Sequence, residues 1–204
     1  MATYTAKILS LLKGALSGTN KLPKLGSDGS LADSLLSDDG SKLEYNGHEV
    51  IDDRTVRKKT EVYFSGASIL LTAGTPVNLV NTLKALTPAS GTLAPFFNTT
   101  DNKLHVINSS ATVGFKLNIV GNWANASSDR SLQVDFLGTN GNRLVANRSS
   151  ATTADSLTLA TFLSIDKNGN IATNGTEVTL TAVGINFTIT SALLIAEQVT
   201  KDNF

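Results

Sequence analysis

The chain carries two histidines, His48 and His105, and no cysteine. Without thiols, a disulfide framework, a thiolate metal site and a cysteine nucleophile are excluded together. A hydrolytic triad is the next chemistry to weigh, built from His105, one of the serines and Asp101 or Asp135. No nucleophile-elbow motif accompanies these residues. His105 alternates with Leu104 and Val106, which reads as an outward-facing or hydrogen-bonded strand residue rather than a catalytic base.

Metal and sugar chemistry are next. Asp166-x-Asn168-x-Asn170, with Glu177 in twelfth position, counts like a calcium loop, but Ile171 stands where that loop requires glycine. A polar hairpin connection accounts for the same residues, so no metal or other cofactor is expected. Glycoside hydrolysis needs two carboxyl groups facing across a sugar. Asp101, Asp129, Asp135, Asp155, Asp166, Glu177 and Glu197 are instead scattered along the chain. The protein is therefore expected not to be an enzyme. A ligand loop is suggested by Trp123, Asn125 and Asn140, since an aromatic face flanked by amides suits sugar hydroxyls. Trp123 is equally suited to locking a strand end into the core.

Charge narrows the partners. Lys plus Arg and Asp plus Glu are balanced at 17 each, and the pI is about 6.7. That balance gives no field for a polyanion, and the cluster Arg54, Arg57, Lys58, Lys59 lacks interleaved aromatics, so nucleic acid is not expected. No uninterrupted apolar run approaches the ~20 residues that span a bilayer, so a soluble protein with no membrane partner is expected. Six Asn-x-Ser/Thr triplets, from Asn98 to Asn186, are read as chance products of an Asn/Ser/Thr-rich chain.

The elements that would position these residues are mainly strands. Leu157, Leu159, Leu163 and Ile165 share one parity, and Val178 and Leu180 follow. The phase slips near Val183-Gly184, and Ile185, Phe187 and Ile189 resume on the other parity. Val113, Phe115, Leu117 and Ile119 alternate without a fault, as do Leu132, Val134 and Phe136. Period-two alternation gives each strand one core face and one Thr/Ser/Asn face. Eight to ten short strands separated by turn dipeptides predict an antiparallel β-sandwich or jelly roll over 61–204. Val77 to Leu86 fits either period and is read as strand and loop. Phe162 falls on the outward parity with Ala160, and so large an exposed ring predicts a subunit contact.

Residues 1–20 read as a short amphipathic helix in which Ile8, Leu9, Leu11, Leu12 and Leu16 form the apolar stripe. So short a helix is marginal alone and must dock elsewhere, which makes those residues candidates for anchoring the chain. Residues 21–60, broken by glycines, read as an extended stalk, with Leu35 and Leu36 as further subunit contacts and Asn46-Gly47 as a tight turn.

This order of helix, stalk and sandwich resembles the short fibre and decoration proteins of tailed bacteriophages. The stretch Leu22-Pro-Lys-Leu-Gly-Ser-Asp-Gly-Ser-Leu is similar to their lead-in segments. The ending Gly175-Thr-Glu-Val-Thr-Leu-Thr-Ala-Val-Gly-Ile-Asn-Phe-Thr-Ile-Thr-Ser-Ala-Leu-Leu-Ile-Ala196 is similar to the last strands of their TNF-like jelly rolls. The resemblance implies a homotrimer made in the host cytoplasm and carried on the virion. It favours a capsid decoration protein or head fibre on the outer capsid surface, bound to the major capsid protein. The alternative is a tail fibre tip or adaptor that binds a host surface polysaccharide, and a surface-glycan depolymerase ranks third.

Overall fold

The computed structural model describes residues 21–25, 31–38, 43–45, 48–49, 55–126, 129–139, 142–149 and 152–201. The chain divides into two compact units, 1–54 with 202–204 and 55–201. The expected amphipathic helix, and with it Ile8, Leu9, Leu11, Leu12 and Leu16, lies outside the described residues. In the first unit, β1 (Lys21–Leu25), β2 (Leu31–Asp38), β3 (Leu43–Tyr45) and β4 (His48–Glu49) pair in sequence order as an antiparallel sheet. Tyr45 pairs with His48, and the turn expected at Asn46-Gly47 lies outside the described residues. Leu35 and Leu36 lie in β2, the latter opposite Tyr45.

The second unit begins with β5 (Thr55–Leu71), so the expected boundary near residue 60 falls inside this strand. There follow β6 (Val77–Asn78), helix α1 (Leu79–Leu83), β7 (Phe97–Asn98), β8 (Lys103–Leu104), β9 (Val113–Trp123), β10 (Arg130–Phe136), β11 (Arg143–Arg148) and β12 (Ala154–Leu163). Helix α2 (Asn170–Asn174), β13 (Val178–Val183) and β14 (Phe187–Lys201) complete it. One sheet has the order β12-β9-β14-β5 and the other β11-β10-β13-β6, all antiparallel. This interleaving of early and late strands is the jelly-roll order.

Alternation explains the layering. Along β9, Val113, Phe115, Leu117, Ile119 and Trp123 are buried while Lys116 and Val120 face out. Leu132, Val134, Leu180 and Ala182 from the opposite sheet meet them, and Phe115 packs edge-on against Phe136 with centroids 5.0 Å apart. Burying each such Leu or Val stabilises the fold by roughly 1.5–3 kcal/mol. The phase slip near Val183-Gly184 falls in the connection from β13 to β14, and a second slip lies within β14. Its register against β9 jumps from Ile189–Gly121 to Ser191–Val120, so Thr190 is the extra residue of a bulge there, while β5 spends Gly66 to Ser68 opposite it, with Gly66 at φ +66°. Gly121 faces inward beneath Phe187, and a Cβ there would lie 2.6 Å from the ring.

Two local expectations are corrected. Leu79–Leu83 is a helical turn rather than strand and loop, because the Asn78 side chain accepts a hydrogen bond from Asn81 N–H and Leu79, Val80 and Leu83 bury one face. The connection after Asp166 holds helix α2 rather than a plain hairpin loop.

Candidate functional site: the outer face of one sheet

The outer face of β12-β9-β14-β5 can be laid out row by row from the register. Phe162, Gly114, Glu197 and Lys59 form one row. Ala160, Lys116, Ile195 and Glu61 form the next, then Thr158, Asn118, Leu193 and Tyr63. A fourth row, Ser156, Val120, Ser191 and Ser65, is small and polar except for Val120. Phe162 is 79% exposed, as its parity predicts. Of the eight exposed large hydrophobics among the described residues, Tyr63, Leu70, Val120, Phe162 and Val199 lie on this face.

Charges of both signs border the apolar rows. Arg57 Nε is 3.5 Å from Glu197, and Lys59 donates to Glu61. The hydrogen bond and charge of Lys59, helped by Arg57 and Lys116, hold the Glu61 carboxyl below its ordinary value. A groove of about 560 Å³ lies beside Phe162, lined by Gly114, Phe115, Lys116, Ala160, Thr161, Ile195 and Glu197.

Of the candidate ligand loop, Trp123 is turned into the core. Trp123 is 2% exposed, packs on Phe187 with centroids 4.6 Å apart, and donates Nε1–H to Asp155 Oδ2 at 3.1 Å. No face of its ring is open to a sugar, and it closes the end of the sandwich instead. Asn125 is exposed and its carbonyl accepts from Arg130, while Asn140 lies outside the described residues. Arg130 escaped notice in the sequence. It is 2% exposed, its guanidinium sits 5.1 Å from the Trp123 centroid, and it donates to the carbonyls of Asn125 and Thr152. The available signal was parity, since Arg130 shares the inward face of Leu132, Val134 and Phe136.

Two members of the candidate triad do meet. His105 Nε2 and Asp101 Oδ2 are 2.6 Å apart, and Asp101 Oδ1 also accepts from Lys103 N–H. Burial pushes the Asp101 carboxyl up, but the hydrogen bond and charge of His105 outweigh it and leave the group below its ordinary value. Among the described residues no hydroxyl is shown hydrogen-bonded to His105. Asp135 is engaged by Arg143 at 2.6 Å, an interaction that raises the Arg143 pKa. No group of three or more His, Asp or Glu that could hold a metal occurs among the described residues.

Comparison with known proteins adds the context. Residues 56–198 match the family described as Sf6-type phage tail needle knob or tip of some Caudovirales. The tail needle protein of Shigella phage Sf6 is 51% identical over 144 residues, which cover 71% of this chain and 51% of that protein. The chain thus spans about half the length of this curated relative. Among solved structures, PRD1 vertex protein P5 aligns at TM-score 0.46 and 8% identity, over 91% of this chain and 84% of that one. Eiger TNF from S. frugiperda aligns at TM-score 0.41 and 14% identity, over 71% and 94%. Both likenesses are too coarse to add to the strand order. The family match is to a tail needle and not to a capsid decoration protein or head fibre, so the expected outer-capsid location gives way and the tail alternative is the better supported.

Proposed function

Because the chain belongs to the Sf6-type phage tail needle knob family, and so is a structural component of a phage virion, we propose that residues 55–201 form a homotrimeric, non-enzymatic knob at the tip of a tail needle. The observation that carries the trimer is the gathering on one sheet face of five of the eight exposed large hydrophobics among the described residues. Such a face costs solubility unless covered, and a second copy is the partner always at hand. β12 adds to the case as a ten-residue edge strand with a single acidic residue and no Lys or Pro to discourage association.

The non-enzymatic reading is supported by the match to a tail needle protein. Thr55 and Lys201 enter and leave the sandwich at one end, and they pair with each other in the register. The loops after Leu71 and Trp123, and before Ala154 and Phe187, gather at the opposite end. In this reading that opposite end is the one presented outward. Reconstruction of the intact particle tests the placement. Density for this domain at the free end of the tail is expected, and density on the capsid shell would overturn it.

A further inference from the structure

The exposed ring of Phe162 and the groove beside it lie on one face, and each is incomplete alone. Phe162 sits on the edge strand β12, and Gly114 is its partner in register on β9. Gly114 has ordinary backbone geometry, so glycine is not required there by φ. What glycine does provide is depth. A Cβ at this position would approach Glu197 Cγ to 3.3 Å and raise the floor of the groove. Ala160, also small, and the half-buried Ile195 form its apolar walls, with Lys116 and Glu197 at the rim. A second, smaller recess of about 210 Å³ flanks Phe162 on the side of Arg57 and Val199. The ring therefore stands proud between two depressions, with four-fifths of its surface in water.

We propose that the Phe162 ring of each copy seats in the Gly114-floored groove of the next, a heterologous contact that closes after three copies. This rests on the trimeric knob reading and adds to it the residue and the seat that fix the register between copies. A second copy is favoured over a foreign apolar ligand by charge. The rim presents Lys116 and Glu197 of opposite sign, and Arg57 and Lys59 behind them pair with Glu197 and Glu61, so a second copy meets a face of mixed, locally balanced charge rather than a repelling field. Heterologous contacts that close by rotation give rings, and knob and seat on one patch allow this around a three-fold axis.

The absence of cysteine makes a clean test available. In the full chain carrying Ser164→Cys, two residues beyond the retained Phe162 on the same face, and Ile195→Cys in the seat, the two positions are separated by the width of β9, roughly 10 Å or more, beyond the ~7 Å Cα limit of a disulfide within one copy. Oxidation is expected to give covalent dimers and trimers on a non-reducing gel, with neither single variant doing so. A trimer by sedimentation that yields no such ladder overturns the seat while leaving the trimer in place. Equally efficient cross-linking by Ser164→Cys alone overturns it too, by showing the β12 edges against each other. A monomer by sedimentation would instead remove the reading beneath it. As a second measurement, Gly114→Leu fills the groove from within and is expected to weaken association about tenfold or more with an unchanged far-ultraviolet dichroism spectrum. Unweakened association of that variant would also sink the proposal.

Discussion

The guanidinium of Arg130 stacks over Trp123 at 5.1 Å from the ring centroid, and Trp123 in turn donates to Asp155. This stack closes one end of the sandwich and ties the loops after Trp123 and before Ala154 through the carbonyls of Asn125 and Thr152. Replacing Arg130 by Met keeps much of the bulk and removes the donors and the cation. A loss of about 2 kcal/mol is expected, combining the cation–π term with the charged hydrogen bonds. Because Trp123 is the single tryptophan, its fluorescence reports both the local change and the urea midpoint. An unchanged midpoint would show that the stack contributes nothing.

Glycine is required at Gly121 for a different reason than at Gly114. A Cβ at Gly121 would lie 2.3 Å from Thr188 O and 2.6 Å from Phe187 Cζ, so backbone and a packed ring would have to move. Gly121→Ala is expected to cost about 3 kcal/mol or more, within the range of severe overpacking. Gly114→Ala meets only the flexible Glu197 side chain and is expected to stay within about 1 kcal/mol of the parent. Thermal denaturation of the two variants side by side checks the contrast.

Acid should weaken the contact between Asp101 and His105 in a defined direction. The folded Asp101 carboxyl lies below its ordinary value of 3.8, so its contribution to stability is complete above that value and is lost as pH falls through the folded one. Asp101→Asn is therefore expected to lower the denaturation midpoint near pH 7 and to flatten the loss of stability below about pH 4. A variant whose acid limb matches the parent would remove Asp101 from the account. The group is well exposed, so the effect is a fraction of the whole acid transition.

The legibility of these features in the sequence follows from their range. The faultless alternation of Val113 to Ile119 and of Leu132 to Phe136 marks strands because sheet faces repeat every two residues. Phe162 was placed outward by parity alone, since one strand sufficed to define its face. Leu79–Leu83 was missed because five residues carry too little periodicity, and the Asn78 cap was its one local sign. Trp123 stayed ambiguous for another reason: its partners Asp155 and Phe187 are 32 and 64 residues away, and nothing near it in the chain fixes which face it takes. The groove beside Phe162 was hidden likewise, because Gly114 and Ile195 come together only through the order β12-β9-β14.

Sedimentation equilibrium of the full chain near neutral pH tests the central claim most directly. A species of three times the 21.4 kDa chain mass is expected at micromolar concentration, falling to a single chain mass when Phe162 is replaced by Ser with the dichroism spectrum retained. A parent protein that sediments as one folded chain of 21.4 kDa would contradict it.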